Sequence, residues 1–261
     1  MQPAGHKGRL SSHLADQIEA QTRDLDWTLA HFTFVASVTT LAADCDIAHS
    51  PSMTVASSHA VPRAQLAFIG EAADLLANYA VFLVNRSSEI ELLVDEKQRA
   101  IGEQAFQIHT CEPQWQMVFR GDPATLDAGP VTELAVNDLA AMQALAKNAR
   151  VELRFTAKDP FTQGPAFGIW EKHQLVAMGV TELRLPGAAQ IGHLIAVPAA
   201  SRSASIAAIT AALVKAHAAG NRRVFYIVAQ QDEDTVQLFE ALGFVRERPM
   251  YRMYGTLKED I

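Results

Sequence analysis

The stretch Gln190–Ala219, QIGHLIAVPAASRSASIAAITAALVKAHAA, decides how this chain is read. Ile191 to Val197 is an apolar run of strand length. Pro198 closes that strand, because proline brings no backbone donor to a ladder. Small residues, Ala199 to Ser205, form a loop that runs directly into a helix. Ile206, Ile209, Leu213 and Ala216 recur at helical spacing, and Gly220 stands where a carboxy-terminal cap belongs. Strand, small-residue loop and helix in that order leave unpaired helix N–H groups pointing into the loop, a setting that favours an anion.

The flanks extend this alternation. Downstream, Arg223 to Ala229 reads as a second buried strand. Asp232 is placed to cap a helix that carries Val236, Phe239 and Leu242 on one face and ends at Gly243. Phe244 to Tyr254 then returns as an extended segment. Upstream, Asn137 is placed to cap a helix with Leu139, Met142 and Leu145 facing inward. Ala166–Trp170 and Leu175–Leu185 read as two strands joined at Glu171–Gln174, and Pro186-Gly187 turns the second into the opening strand.

Two segments in this order carry a family resemblance. Arg202-Ser203-Ala204-Ser205-Ile206-Ala207 resembles the acetyl-CoA-binding loop of the GNAT superfamily of acyl-CoA-dependent N-acyltransferases, Q/R-x-x-G-x-G/A. Ser205 stands in place of the first glycine, and the spacing from Pro198 to Arg202 is one residue longer than usual. The later segment is similar to the carboxy-terminal GNAT signature A-x-x-N-x-x-A-x-x-L-Y-x-x-x-G-F. Ala229, Leu238, Gly243 and Phe244 match in register, while Asp232, Thr235 and Phe239 replace its Asn, Ala and Tyr.

The resemblance implies an α/β (α+β) fold in the carboxy-terminal half, a mixed central sheet flanked by helices. It implies acetyl-CoA as co-substrate and amine attack on its thioester. The strand amides of Leu194, Ile195, Ala196 and Val197 would hold the pantetheine and the thioester carbonyl. The N–H groups of Arg202, Ser203, Ala204, Ser205, Ile206 and Ala207 would hold the pyrophosphate, with Asp232 and Phe239 also at the cofactor. Many relatives carry an acidic residue where this chain has Gln190, so His193 is the candidate base. The helix tyrosine that protonates the departing thiolate in relatives is Phe239 here, and Tyr226, with Tyr251 and Tyr254, is a candidate substitute.

Composition bounds the rest. The chain has 261 residues, 49% of them hydrophobic, enough for one large or two modest domains. Its net charge of −7 argues against nucleic acid or an anionic membrane as the main partner. Residues 1–125 carry eight Lys/Arg against fifteen Asp/Glu, whereas residues 126–261 carry fourteen of each, so the neutral half is the one suited to a polyanion. Cys45 and Cys111 give neither a disulfide framework nor a metal-ligand spacing, and no metal is expected. Without a signal-like amino terminus or an apolar run of spanning length, a cytoplasmic location is expected.

Gly121–Pro130, GDPATLDAGP, reads as a linker, which sets an amino-terminal α+β domain at 1–125 and a GNAT domain at 126–261. In the first half, Leu14 to Phe32 fits one interrupted amphipathic helix, and Ala48 to Pro62 a Ser/His/Pro-rich loop. Leu66 to Leu76 fits a second helix, Tyr79–Val84 a strand, Asp95–Phe106 a helix and Trp115–Phe119 a strand. GPAFGIWEKHQLVAMG (Gly164 to Gly179), Asp26-Trp27 and Gln116-Met117-Val118 resemble two-domain GNAT proteins whose amino-terminal half is degenerate. Two functions are compatible with these residues. One is N-acetyl transfer to a primary amine of a small-molecule or amino-acid-like substrate. The other is a non-catalytic acyl-CoA-binding or protein-interaction module. The sequence leaves homo-oligomerisation open.

Overall fold

The structure, a computed structural model, describes residues 12–39, 45–58, 63–84, 89–151, 153, 160–197 and 202–258. In chain order its elements are α1 (Ser12–Gln21), α2 (Leu25–Ala30), α3 (Phe32–Val38), β1 (Cys45–Ser50), β2 (Met53–Ser58), β3 (Arg63–Gly70), α4 (Ala73–Leu83), β4 (Glu89–Val94), α5 (Glu96–Ala105) and β5 (Phe106–Phe119). They continue as β6 (Thr132–Leu134), α6 (Leu139–Ala149), β7 (Ala166–Glu171), β8 (Gln174–Leu185), β9 (Ala188–Ala196), α7 (Arg202–Ala218), β10 (Arg223–Ala229), α8 (Glu233–Ala241) and β11 (Phe244–Leu257).

The chain forms two compact units, Met1–Trp115 with Arg248–Ile261, and Gln116–Glu247. In the first unit β1, β2 and β3 pair antiparallel, β3 pairs parallel with β4, and β4 pairs antiparallel with β11 over Val94↔Tyr251 to Ile90↔Gly255. In the second unit β6, β7, β8 and β9 pair antiparallel, and β9 pairs parallel with β10. The same order, antiparallel strands, helix, parallel strand, helix, therefore occurs in both units. The sequence places all of 126–261 together, but the last strand from Arg248 onward belongs to the first unit, because its backbone ladder is made with β4.

The first unit departs most from sequence expectation. Ala48–Pro62 is not a loop within its described part. β1 and β2 form a hairpin in register from Cys45↔Ser58 to Ser50↔Met53. Its polar residues bond locally, as in His49 Nδ1 to Thr54 Oγ1 at 2.8 Å, so a low hydrophobic content hides a strand pair. Leu66 and Ile69 belong to strand β3, not to a helix. Tyr79–Leu83 lies in α4 instead of a strand, with Val84 as its C-cap and Leu76, Ala77, Tyr79, Ala80 and Leu83 buried at helical spacing. A short apolar run such as VFLV fits either element, and packing decides between them. The amino-terminal helix is broken twice. Asp24 caps α2 by accepting from the Asp26 and Trp27 amides, and His31, at φ −115° and ψ 30°, separates α2 from α3.

The second unit follows expectation closely. β7, β8, β10 and α8 lie where the periodicity places them. Asn137 is not the cap of α6. It sits in a 3-10 turn, Val136–Asp138, and Asp138 accepts the Ala135 amide at 2.8 Å. The core on the α6 side gathers Met142, Leu145, Ala146, Ala166, Met178, Val180 and Ile195. On the other face Gly179 lets α7 close onto the sheet, since a Cβ there would lie 2.5 Å from Leu194 Cδ2 and 2.6 Å from Ile209 Cγ2. No helix among the described residues is long and apolar enough to cross a membrane.

Candidate active site

The site is built where β9 leaves its neighbours. β9 pairs with β10 only at Ala188↔Arg223, Ala189↔Val224 and Gln190↔Phe225. Beyond Gln190 no partner on β10 is registered, so the ladder between β9 and β10 stops there, a gap in the pairing of the sheet between Ile191–Ala196 and Tyr226–Ala229. On its other edge β9 stays paired with β8 but shifts register twice. Met178↔Ile195 is followed by Val180↔Gly192, which gives β9 one extra residue at His193-Leu194. Thr181↔Ile191 is followed by Leu183↔Gln190, which gives β8 one extra residue at Glu182. Both are β-bulges, which bend a strand and re-aim side chains. His193 holds the left-handed backbone of the first bulge at φ 47°, a conformation costly for a non-glycine residue.

The amides expected to bind a ligand fall into two groups. Val197 N–H donates to Val176 O at 2.8 Å, so this expected donor is already used within the sheet. Successive strand amides point to opposite edges, which turns the Ala196 N–H toward the gap. The helix begins earlier than expected. Arg202, Ser203, Ala204 and Ser205 form the first turn of α7 instead of a loop, while Pro198–Ser201 lies outside the described residues. Only the first four N–H groups of a helix lack intrahelical partners. With the cap residue counted as the first of the four, Arg202–Ala204 keep a donor role, whereas the Ile206 and Ala207 amides are used inside the helix. Ile206 is buried and anchors this turn to the core. The first turn carries Arg202, exposed, and no acidic residue.

The corresponding helix of the first unit has the opposite character. α4 follows β3 after only Glu71 and Ala72, and it carries Asp74 in its first turn. Glu71 is paired with Lys97, but Asp74 leaves this helix start with a carboxylate in its first turn, where α7 has an arginine.

Other expected site residues are placed elsewhere. Asp232 is the cap of α8, its carboxylate accepting from the Thr235 amide at 3.2 Å. Phe239 has no exposed surface. It is stacked on Tyr226 at 4.6 Å between ring centroids and set edge-on to Phe244 at 4.7 Å. Tyr226, half-buried, is the first β10 residue past the paired segment, and its ring lies over α8. Tyr251 and Tyr254 belong to the first unit.

One group escaped the sequence reading. Glu182, the extra residue of the β8 bulge, accepts from Gln190 Nε2 at 2.9 Å. Its carboxylate occupies the space that a side chain at Gly192 would fill.

A scan of the sequence against protein-family models matches none, and a search of curated proteins likewise finds no relative. Solved structures do match. One is a chain assigned to the GNAT family of acetyltransferases from Novosphingobium aromaticivorans, with TM-score 0.69 and 17% identity, covering 88% of this chain and 98% of that one. Another is a tandem GNAT protein from the clavulanic acid biosynthesis pathway, with TM-score 0.60 and 12% identity, covering 92% and 95%. This chain has the tandem GNAT fold. A Drosophila protein shares the fold over 97% of this chain and 99% of its own, with TM-score 0.71 and 13% identity. Within the GNAT fold of the second unit, the end of the β9–β10 ladder, the His193 bulge and the start of α7 lie along one continuous stretch of chain, Gln190–Ser205.

Proposed function

We propose that the second unit binds acetyl-CoA and transfers its acetyl group to a primary amine of a small molecule. Two observations carry this: the β9–β10 pairing stops at Gln190, and the next described helix, α7, starts with Arg202 and no acidic residue. A gap between strands exposes a row of backbone donors that an extended amide chain such as pantetheine can pair with. The free N–H groups of Arg202–Ala204 suit a pyrophosphate, and the Arg202 guanidinium adds a charge-assisted contact. Ser203 and Ser205 offer hydroxyls beside it. The acidic start of α4 makes the first unit a poor second site, so one acyl-CoA per chain is proposed.

The reaction is attack of a neutral amine on the thioester carbonyl, with strand amides stabilising the oxyanion. A departing thiolate is a tolerable leaving group, with an ordinary pKa near 8.5, so a missing acid at Phe239 slows the reaction without abolishing it. The second reading, an acyl-CoA-binding module without catalysis, draws on that same Phe239, which is packed away from any ligand.

The test is to add acetyl-CoA to the full chain and follow unfolding temperature and thiol release together. A ligand that binds only the folded state at 100 times its Kd adds about 2.7 kcal/mol of stability. A raised unfolding temperature with amine-dependent thiol release supports transfer. A raised temperature without thiol release supports the binding module, and no shift removes both.

A further inference from the structure

We infer that the first unit holds a binding site of its own, built by Trp27, His31, Asp95 and Arg248, for a small zwitterion that carries an ammonium, a carboxylate and an apolar body. This site stands whether or not the second unit transfers an acyl group. Strand alternation brings the four residues to one place. Ile90, Leu92 and Val94 of β4 and Met253 and Leu257 of β11 lie in one core with Leu76 of α4 and Ile101 of α5. Residues an odd number of positions from these face the other way. Asp95, which continues β4 with φ −79° and ψ 179°, and Arg248 of β11 therefore lie on the opposite face. That face is covered by α3, whose Phe34 and Val38 pack with Ala56 and Ala67.

The start of α3 is held at the end of β4, where Thr33 Oγ1 lies 3.5 Å from Leu93 O. His31 immediately precedes α3, and the half-buried Trp27 ring packs on it at 5.0 Å between centroids. Antiparallel pairing at Tyr251↔Val94 carries β11, followed back toward Arg248, past the end of β4 to Asp95 and the start of α5.

Arg248 and Asp95 are opposite charges that do not pair. Arg248 Nε is buried without a hydrogen-bond partner, and among the described residues its guanidinium enters no ion pair. Asp95 Oδ1 accepts the Gln98 amide at 2.9 Å, which leaves Oδ2. Lys97, the next cation along, is held by Glu71. Both charges act on His31: burial lowers its pKa, Asp95 raises it and Arg248 lowers it, with a net lowering. At neutral pH the imidazole is therefore uncharged, and its Nδ1 is buried without a partner. Buried polar atoms in this state are destabilising, and native structures rarely keep them without a use.

The ligand follows from the charges. A guanidinium fork matches a carboxylate, Asp95 Oδ2 takes an ammonium, and Trp27 gives apolar surface beside them. One positive and one negative group suit a molecule that carries one of each. A phosphate dianion would be drawn to Arg248 but repelled by Asp95.

The experiment titrates the full chain with phenylalanine, and with phenethylamine and 3-phenylpropionate, which keep the ring and each lack one charge. Wild type is compared with Arg248→Gln, Arg248→Lys and Asp95→Asn; asparagine still caps α5, and lysine keeps the charge without the fork. The expected result is one site per wild-type chain, with phenylalanine bound at least about tenfold more tightly than either analogue. In Arg248→Gln phenylalanine should fall to the affinity of phenethylamine, whose own binding is unchanged. In Asp95→Asn it should fall to that of 3-phenylpropionate, and Arg248→Lys should keep part of the preference. A loss shared equally by all three ligands would mean that these residues only support the fold, and would overturn the site. Equal affinities of the three ligands for wild type, a preference unchanged in Asp95→Asn or the Arg248 variants, inorganic phosphate bound more tightly than phenylalanine, or no binding of phenylalanine would each overturn it as well.

Discussion

Acid should destabilise this protein through one buried histidine. His217, 2% exposed near the end of α7, has its Nε2 2.8 Å from Thr181 Oγ1, whose hydroxyl also lies 2.8 Å from Pro165 O. The threonine has one hydrogen, and Pro165 O can only accept it, so His217 donates from Nε2. Burial, with smaller contributions from Arg222 and Arg184, lowers its pKa from 6.5 to about 4. The unfolded chain therefore binds a proton in a range where the folded chain does not, and stability falls as pH drops from about 6.5 toward 4. At 1.36 kcal/mol per pKa unit the full effect is about 3 kcal/mol, of which about 2 kcal/mol is already lost at pH 5. His217→Gln keeps an amide donor for Thr181 but does not titrate. Urea unfolding of both proteins at pH 7.5 and pH 5 isolates the contribution, since every other group titrates in both. The stability gap between wild type and variant should shift by about 2 kcal/mol in favour of the variant at pH 5. Parallel pH dependence in the two proteins would refute the burial argument.

Substitutions at two further positions test the site's framework. His193→Gly should be more stable than His193→Ala by about 1 kcal/mol, because only glycine takes the left-handed bulge conformation without steric cost; urea midpoints compare them. Phe239→Tyr should lower stability by about 1–3 kcal/mol by burying an unpaired hydroxyl between Tyr226 and Phe244, and thiol release should not increase, since the ring has no exposed edge.

The second unit was largely legible in the sequence, because its elements carry strong periodicity and clear punctuation. Asp232, Gly243 and the Arg223–Ala229 run each have one structural use, and the structure gives them that use. The first unit was less legible, since a Ser- and Thr-rich hairpin and a short apolar helix have no distinctive pattern. The gap at Gln190 and the two bulges could not be read at all, because register is a property of paired strands and not of one strand. Glu182 did leave a signal. It is a carboxylate inside a strand whose neighbours Thr181 and Leu183 are both buried, and such a position calls for a partner or a task. A motif register gives position in the chain but not which neighbour a side chain packs against, and the stacking of Phe239 on Tyr226 was not legible for that reason.

The central claim is that acyl-CoA binds the second unit alone, through the start of α7. Calorimetric titration of acetyl-CoA into the wild type and into Arg202→Glu tests it most directly. The account predicts one site per chain in the wild type. In the variant it predicts an affinity at least tenfold lower, because a charge-assisted contact worth roughly 1.5–3 kcal/mol is replaced by repulsion. The free variant should unfold at the wild-type temperature, since Arg202 is exposed. Two sites per chain, no heat of binding, or equal affinity in the two proteins would contradict the account.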